Sequence, residues 1–115
     1  MNKYHVKETE SEIKRSILQY LNTRFCTFAF SVPTTGIPDG KGGFRRNPNR
    51  GCADIIGVKG SGAKEGGKFF ALEVKRPGNK ATPNQRSFLE NVAIAGGYAA
   101  IVYSVDDAMQ CWNEI

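Results

Sequence analysis

The sequence is poor in the residues that build disulfide frameworks and zinc sites. Its 115 residues include three scattered cysteines, Cys26, Cys52 and Cys111, and a single histidine, His5. An odd number of dispersed cysteines favours a reducing compartment such as the cytoplasm, and it speaks against both a disulfide framework and a zinc cluster. His5 lies in a polar N-terminal stretch, so we expect a solvent-exposed side chain rather than a metal ligand.

Long apolar segments are missing as well. No apolar run approaches the ~20 residues that a membrane-spanning helix requires, and no signal-peptide core follows the polar N-terminus. The hydrophobic share of 40% and the charged share of 23% are typical of a globular protein. A chain of this length builds one domain with a real core. We therefore expect a single domain over residues 1–115 and no association with a membrane.

Acidic residues are outnumbered, since 11 of them stand against 16 lysines and arginines, for a formal net charge of +5. A basic domain of this kind often binds a phosphate backbone. The basic residues crowd two segments. The first holds Lys41, Arg45, Arg46 and Arg50, and the second holds Lys75, Arg76, Lys80 and Arg86.

The most informative stretch consists of two predicted strands and a glycine-rich connection. Residues 53–58 and 69–74 are rich in β-branched, aromatic and other apolar side chains, which favours strands. Residues 59–68 contain four glycines and suit a hairpin loop. A hairpin that is symmetric about this loop, with its midpoint between residues 63 and 64, places Asp54 directly opposite Glu73.

Two opposed carboxylates predict a cation between them. Like charges at opposed strand positions are destabilising by themselves, and ligands that are all oxygen suit Mg²⁺ or Mn²⁺ better than zinc. Lys75 follows Glu73 by two residues, so both side chains share one face of the sheet. Carboxylates, a hard metal ion and an ammonium group are what phosphodiester hydrolysis requires. The alternative is that Glu73 and Lys75 are ordinary charges of an edge strand that prevent aggregation.

The N-terminal half begins with a predicted helix over about residues 8–24. Its apolar residues recur at helical spacing, and Thr9 with Glu12 predicts a capping box. Glu10 points the same way as the apolar stripe, so it is a better candidate than Glu12 for reaching the interior. A strand over residues 25–32 follows. Residues 34–50 then form a long loop without periodicity, interpreted either as a basic flap over a nucleic-acid backbone or as a solvated loop.

The C-terminal half starts with a strong helix signal. Thr82 as N-cap, Pro83 in the first turn and Gln85 as reciprocal partner predict a helix that runs to about Ala95. A short strand over residues 98–103 and a last helix complete the chain. The order is helix, three strands, helix, strand and helix. This order predicts an α/β fold with a mixed central sheet flanked by helices.

An αβββαβ core with an aspartate and a later Glu-x-Lys resembles the PD-(D/E)XK nuclease superfamily, the restriction-endonuclease-like fold. Within it, the chain resembles the stand-alone VRR-NUC domains of bacteriophages and bacteria. The resemblance covers nearly the whole chain. The matching segments are Thr9-Glu10-Ser11-Glu12-Ile13, Gly51-Cys52-Ala53-Asp54-Ile55-Ile56-Gly57, Leu72-Glu73-Val74-Lys75, Thr82-Pro83-Asn84-Gln85 and Gly96-Gly97-Tyr98-Ala99. The one departure is Ala53, where the superfamily pattern has a proline before the aspartate.

The resemblance implies a role for each matching residue. Asp54, Glu73 and the backbone carbonyl of Val74 bind the metal ion, and Lys75 is the catalytic lysine. Glu10 completes the acidic site and Gln85 lines it. Judged by the residues alone, Glu10 is better explained as a first-turn acid that complements the helix dipole, and Gln85 is sufficiently explained as a cap.

The predicted function is a Mg²⁺- or Mn²⁺-dependent DNA endonuclease in the cytoplasm of a bacterial or phage-infected cell. No segment resembles a recognition helix, so we expect structure-selective cleavage, of Holliday junctions or other branched DNA. The resemblance also implies a homodimer, since two active sites serve two strands. The predicted DNA-binding residues are Lys41, Arg45, Arg46, Arg50, Arg76 and Lys80.

Two other functions compete with this prediction. A non-catalytic DNA-binding module on a nuclease scaffold is disfavoured because Asp54, Glu73 and Lys75 are all intact. An RNA-binding protein is disfavoured because most phenylalanines and tyrosines occupy predicted core positions, away from any base that they could stack on.

Overall fold

The structure, a computed structural model, describes residues 8–34, 36–62 and 66–115 and contains helices and strands in these segments. The helices are α1 (Glu10–Asn22), α2 (Pro83–Ile94) and α3 (Val105–Glu114). The strands are β1 (Thr27–Ser31), β2 (Ile37–Pro38), β3 (Phe44–Arg45), β4 (Ile55–Lys59), β5 (Lys68–Val74) and β6 (Tyr98–Val102). His5 and the predicted hairpin midpoint, between Ala63 and Lys64, lie outside the described residues. Within those residues, no helix has the length and apolar character needed to cross a membrane.

Four of the strands form a mixed sheet in the order β1-β4-β5-β6. β4 is antiparallel to both of its neighbours, whereas β6 runs parallel to β5. The connection from β5 to β6 contains α2, as a parallel connection requires. The predicted α/β fold with a mixed central sheet is confirmed.

The register of β4 and β5 is the one that a symmetric hairpin predicts. Ile55 lies opposite Leu72, and Lys59 lies opposite Lys68. Asp54 directly precedes Ile55, and Glu73 directly follows Leu72. The pairing therefore sets the two carboxylates opposite each other at the open end of the hairpin.

The two faces of the sheet have separate cores. Phe70, Leu72 and Val74 of β5 belong to a buried cluster that includes side chains of α1 and α3. The alternate residue Ala71 packs instead with Leu89 of α2. Because side chains alternate between faces, Glu73 lies on the α2 face together with Ala71.

Two of the helices that flank the sheet, α1 and α2, begin at their predicted caps. The Thr9 hydroxyl accepts the Glu12 N–H at 3.1 Å, and α1 then buries Ile13, Ile17 and Leu21 on one stripe. At α2, the Thr82 hydroxyl accepts the Gln85 N–H at 3.2 Å while Oε1 of Gln85 accepts the Thr82 N–H at 2.9 Å. These caps fix where each helix starts relative to the strands.

The segment 34–50, predicted as a loop without regular structure, contains a small hairpin. β2 pairs antiparallel with β3, with Ile37 opposite Arg45 and Pro38 opposite Phe44. Oδ1 of Asp39 accepts the Lys41 N–H at 2.7 Å and the Gly43 N–H at 3.1 Å. The turn is held by one carboxylate rather than by apolar alternation, which is why periodicity misses it.

The prediction that most aromatic residues lie in the core is wrong for phenylalanine. Exposed fractions are 66% for Phe28, 46% for Phe30 and 39% for Phe69. These residues share the α2 face of the sheet by register, but α2 packs against β5 and β6 and leaves the β1 side uncovered. Strand alternation cannot reveal which strand ends up at the edge of the sheet. Phe25, which precedes β1, and Phe44 of β3 are exposed as well.

Candidate active site

Asp54 is fixed at the open end of the β4–β5 hairpin by backbone contacts on two sides. Its Oδ2 atom accepts the Val74 N–H at 2.9 Å, and its carbonyl oxygen accepts the Val32 N–H at 2.8 Å. The carboxylate is therefore tied to the end of β5, and its backbone is tied to the segment that follows β1. Ala53, where the superfamily pattern has proline, is 1% exposed and packs in the core beneath α2.

Glu73 is a buried carboxyl group with an unsatisfied oxygen. The residue is 1% exposed, and its Oε2 atom has no hydrogen-bond partner among the described residues. The pKa of Glu73 is raised to about 8, chiefly by burial and then by hydrogen bonding to and repulsion from Asp54, against a lowering effect of Lys75. Ionising such a group is costly unless a cation compensates it.

Two lysines flank the acidic pair. Nζ of Lys75 lies 3.9 Å from Oε1 of Glu73, and 14% of the Lys75 side chain is exposed. Nζ of Lys14 lies 3.7 Å from Oδ1 of Asp54. The sequence motifs predicted Lys75 but not Lys14. The available signal was that Lys14 follows Glu10 by four residues and so lies one turn further along the same helical face.

Cys52 is a second residue near the pair that the sequence analysis did not single out. The pKa of its thiol is raised by burial and, to a smaller extent, by the charges of Glu73 and Asp54, against a hydrogen bond with the Ala53 backbone. A raised pKa keeps the thiol protonated and poorly nucleophilic. Cys52 therefore fills space beside the carboxylates and is not a candidate nucleophile.

Glu10 and Gln85 differ from Lys75 in that the structure describes no hydrogen bond or ion pair between them and Asp54 or Glu73. Glu10 is half-buried on α1, whereas Glu12 is exposed, in agreement with the predicted direction of the two side chains. Among the described residues, no three His, Cys, Asp or Glu side chains are grouped so as to hold a metal ion, so Glu10 does not form such a group with Asp54 and Glu73. The side chain of Gln85 accepts the Thr82 N–H. The active-site roles of Glu10 and Gln85 stay predictions.

The β2–β3 hairpin rises from the end of the sheet where Asp54 lies. Nδ2 of the buried residue Asn47 donates to the Pro33 carbonyl at 3.2 Å, which closes the base of this segment. Gly51 has a φ of +92° and passes so close to α2 that an added Cβ would lie 3.2 Å from Cβ of Asn84. Only glycine tolerates this conformation without strain. The segments before and after the hairpin are thus both anchored beside the acidic pair.

The predicted DNA-binding side chains are exposed at this end of the molecule. On the hairpin and on the segment that follows it, the exposed basic residues are Lys41, Arg45, Arg46 and Arg50. Arg76 and Lys80 are exposed in the segment between β5 and α2. Their ammonium and guanidinium groups lie on segments that begin or end at the acidic pair, which suits a polyanion that crosses it.

The donor set fits a hard divalent cation. Asp54 and Glu73 offer carboxylate oxygens only, and Oε2 of Glu73 is buried without a partner in the described structure. Oxygen ligands of this kind suit Mg²⁺ or Mn²⁺. A cation would also relieve the repulsion that raises the Glu73 pKa.

Comparison with known proteins adds a likeness in fold. No family model and no curated protein matches the sequence. A solved structure named "VRR_NUC domain protein" matches with a TM-score of 0.58 and 18% sequence identity, over 92% of this chain and 86% of that chain. At this identity the likeness shows a shared fold. The fold is thus the one that the sequence motifs predicted.

Proposed function

We propose that this protein is a metal-dependent nuclease that hydrolyses phosphodiester bonds in DNA. The observation that carries the proposal is the opposition of Asp54 and Glu73 at the end of a hairpin, with Lys75 3.9 Å from Glu73. A purely structural role does not explain a carboxyl group that is 1% exposed beside a second carboxylate, because such burial is costly. The shared fold with a VRR_NUC domain protein supports the same conclusion.

In this proposal, Asp54, Glu73 and the carbonyl oxygen of Val74 hold Mg²⁺ or Mn²⁺. When bound, such an ion polarises the scissile phosphate and lowers the pKa of an attacking water. The Val74 N–H keeps Asp54 in place through its bond to Oδ2. The Lys75 ammonium donates hydrogen bonds to the attacking water or to the phosphate oxygens, where negative charge grows.

In the same proposal, the exposed basic residues around the acidic pair bind the DNA. The β2–β3 hairpin presents Lys41 and Arg45, and the segment after β5 presents Arg76 and Lys80. Contacts from lysine and arginine to phosphates position a duplex without reading its sequence. The preferred substrate is therefore defined by shape, and a four-way junction or another branched DNA is our first choice.

We further propose that the active form is a homodimer. Phe28, Val58 and Phe69 are aligned across three neighbouring strands by register, and Phe30 lies 5.8 Å from Phe28 between ring centroids. We call these four residues the phenylalanine face. Contiguous exposed apolar surface of this kind is typical of a protein interface. Two copies joined through it would bring two acidic pairs to one branched DNA.

The first experiment is a cleavage assay with a labelled four-way junction and a linear duplex in Mg²⁺, Mn²⁺ or EDTA. We expect symmetric nicking of the junction with either metal, no cleavage in EDTA, and no cleavage by Glu73→Ala, which should still bind DNA. Binding without cleavage under every metal condition would instead support a non-catalytic DNA-binding module. The assay also includes a single-stranded RNA as substrate, because the exposed Phe28–Phe30 pair is of the kind that stacks on bases.

A further inference from the structure

Lys14 is a second lysine at the acidic pair that the proposed chemistry does not use. Its Nζ atom lies 3.7 Å from Oδ1 of Asp54, with 31% of the Lys14 side chain and 14% of the Asp54 side chain exposed. The other oxygen, Oδ2, accepts the Val74 N–H at 2.9 Å. The two oxygens of Asp54 thus have unlike partners, one a fixed backbone amide and the other an ammonium on a flexible side chain.

The position of Lys14 on α1 explains how it reaches the pair. It follows the buried residue Ile13, and it is itself half-buried, so its side chain leaves the helix close to the packed stripe. Arg15 is the next residue along the helix and is exposed. The two neighbours carry the same charge, but only Lys14 has an ion pair with Asp54.

We propose that Lys14 stands in for the metal ion in the metal-free protein and moves to a DNA phosphate when the metal binds. The inference rests on the proposed function, since it assumes that Asp54 is a metal ligand. An ammonium and a divalent cation repel each other at one carboxylate. Lys14 therefore stabilises the metal-free pair and opposes metal binding. The phosphate then supplies the negative charge that Lys14 loses, since an ammonium on a flexible four-carbon stem can exchange one anionic partner for another.

The proposal predicts that removing the Lys14 charge tightens metal binding. Titration calorimetry with Mn²⁺ in the absence of DNA should show a Kd for Lys14→Gln that is lower than that of the unmodified chain by about two- to fivefold, the factor that corresponds to a partly exposed ion pair. Lys14→Arg keeps the charge and should keep the weaker affinity. Arg15→Gln is the matched control, because it removes the same charge from an exposed neighbour and should leave the Kd unchanged.

The second readout is DNA affinity with and without metal. Fluorescence anisotropy with a short duplex should show little difference between Lys14→Gln and the unmodified chain in EDTA, where Lys14 is held by Asp54. In Ca²⁺, which takes the same kind of oxygen ligands, the variant should bind more weakly than the unmodified chain. Gel analysis of the recovered duplex verifies that the DNA stays intact during the measurement.

Each outcome separates this inference from the proposed function. An unchanged or weaker Mn²⁺ affinity of Lys14→Gln, while the unmodified chain binds Mn²⁺, would overturn the role of Lys14 and leave the nuclease proposal standing. Equal losses of DNA affinity in EDTA and in Ca²⁺ would show that Lys14 is an ordinary phosphate contact. Failure of the unmodified chain to bind Mn²⁺ would overturn both proposals.

Discussion

Glu73 combines almost complete burial with a pKa raised to about 8. In the unfolded chain a glutamate ionises near its ordinary pKa of about 4.3. At a pH between these two pKa values, Glu73 is protonated in the folded protein and ionised in the unfolded chain. The stabilising contribution of the protonated group is therefore complete below the unfolded pKa and is lost as the pH rises through the folded pKa.

We expect the free energy of unfolding in EDTA to fall between about pH 5 and about pH 8 because of this residue. Urea denaturation at several pH values measures the slope. Glu73→Gln keeps the shape of the side chain and cannot ionise, so its slope should be flatter. Glu90→Gln, at an exposed position on α2, serves as control and should follow the unmodified chain. Parallel pH profiles for the unmodified chain and Glu73→Gln would contradict the assignment.

At the scale of secondary-structure elements, the β2–β3 hairpin is a separate two-stranded sheet. Its turn is closed by a backbone bond from the Asp39 N–H to the Gly43 carbonyl at 3.0 Å and by the Asp39 side chain. Asp39 accepts two backbone N–H groups within this turn. Gly40 and Gly42 have φ of +78° and +85°, which glycine adopts at little cost. The hairpin has few links to the main core, so its local stability can change without a change in the rest of the fold.

This arrangement predicts opposite effects of two neutral replacements at Asp39. Asp39→Asn removes the negative charge but keeps an acceptor, so DNA affinity should be equal to or higher than that of the unmodified chain. Asp39→Ala removes the acceptor as well, at a cost of about 1 kcal/mol or more within the turn, and DNA affinity should fall. Anisotropy measures the affinity, and limited proteolysis should show faster cleavage within the hairpin of Asp39→Ala. A higher DNA affinity of Asp39→Ala would show that charge alone matters.

At the scale of the whole molecule, the phenylalanine face is the surface that the proposed homodimer would bury. β1 is an edge strand, and its Phe28 side chain is 66% exposed. A charged residue at the centre of an apolar contact leaves a buried unpaired charge, which is strongly destabilising.

We therefore expect Phe28→Glu to be monomeric at concentrations where the unmodified chain is a dimer. Light scattering after size-exclusion chromatography measures the mass. Phe44→Glu is the matched control, because Phe44 is 74% exposed but lies on the hairpin, and it should remain dimeric. A monomeric unmodified chain, or a dimeric Phe28→Glu variant, would contradict the proposed interface.

The sequence was sufficient to predict the features that depend on neighbouring residues in the chain. The opposition of Asp54 and Glu73 follows from strand pairing about one loop, and the start of α2 follows from Thr82 and its cap. Local signals of this kind act over a few residues or one turn.

The features that sequence reasoning missed depend on how distant elements come together. Lys14 reaches Asp54 from another element, and its distance of 3.7 Å depends on how α1 packs on the sheet. The exposure of Phe28 depends on the order of strands and on which half of the sheet α2 covers. The hairpin turn depends on side-chain-to-backbone bonds of Asp39, for which hydrophobic periodicity has no signal.

The glycine-rich connection between β4 and β5 lies far from the acidic pair, which matters for protein engineering. β4 and β5 pair over five positions from Ile55 to Lys59, and the connection over residues 60–67 closes the opposite end of the hairpin from Asp54. At about 3.3 Å per residue, the six residue steps from Asp54 to Gly60 span roughly 20 Å. The strands fix the pairing, so we expect an insertion in this connection to leave that pairing in place. An affinity tag, a fluorophore or a whole targeting domain can be installed there while the opposed carboxylates stay in register.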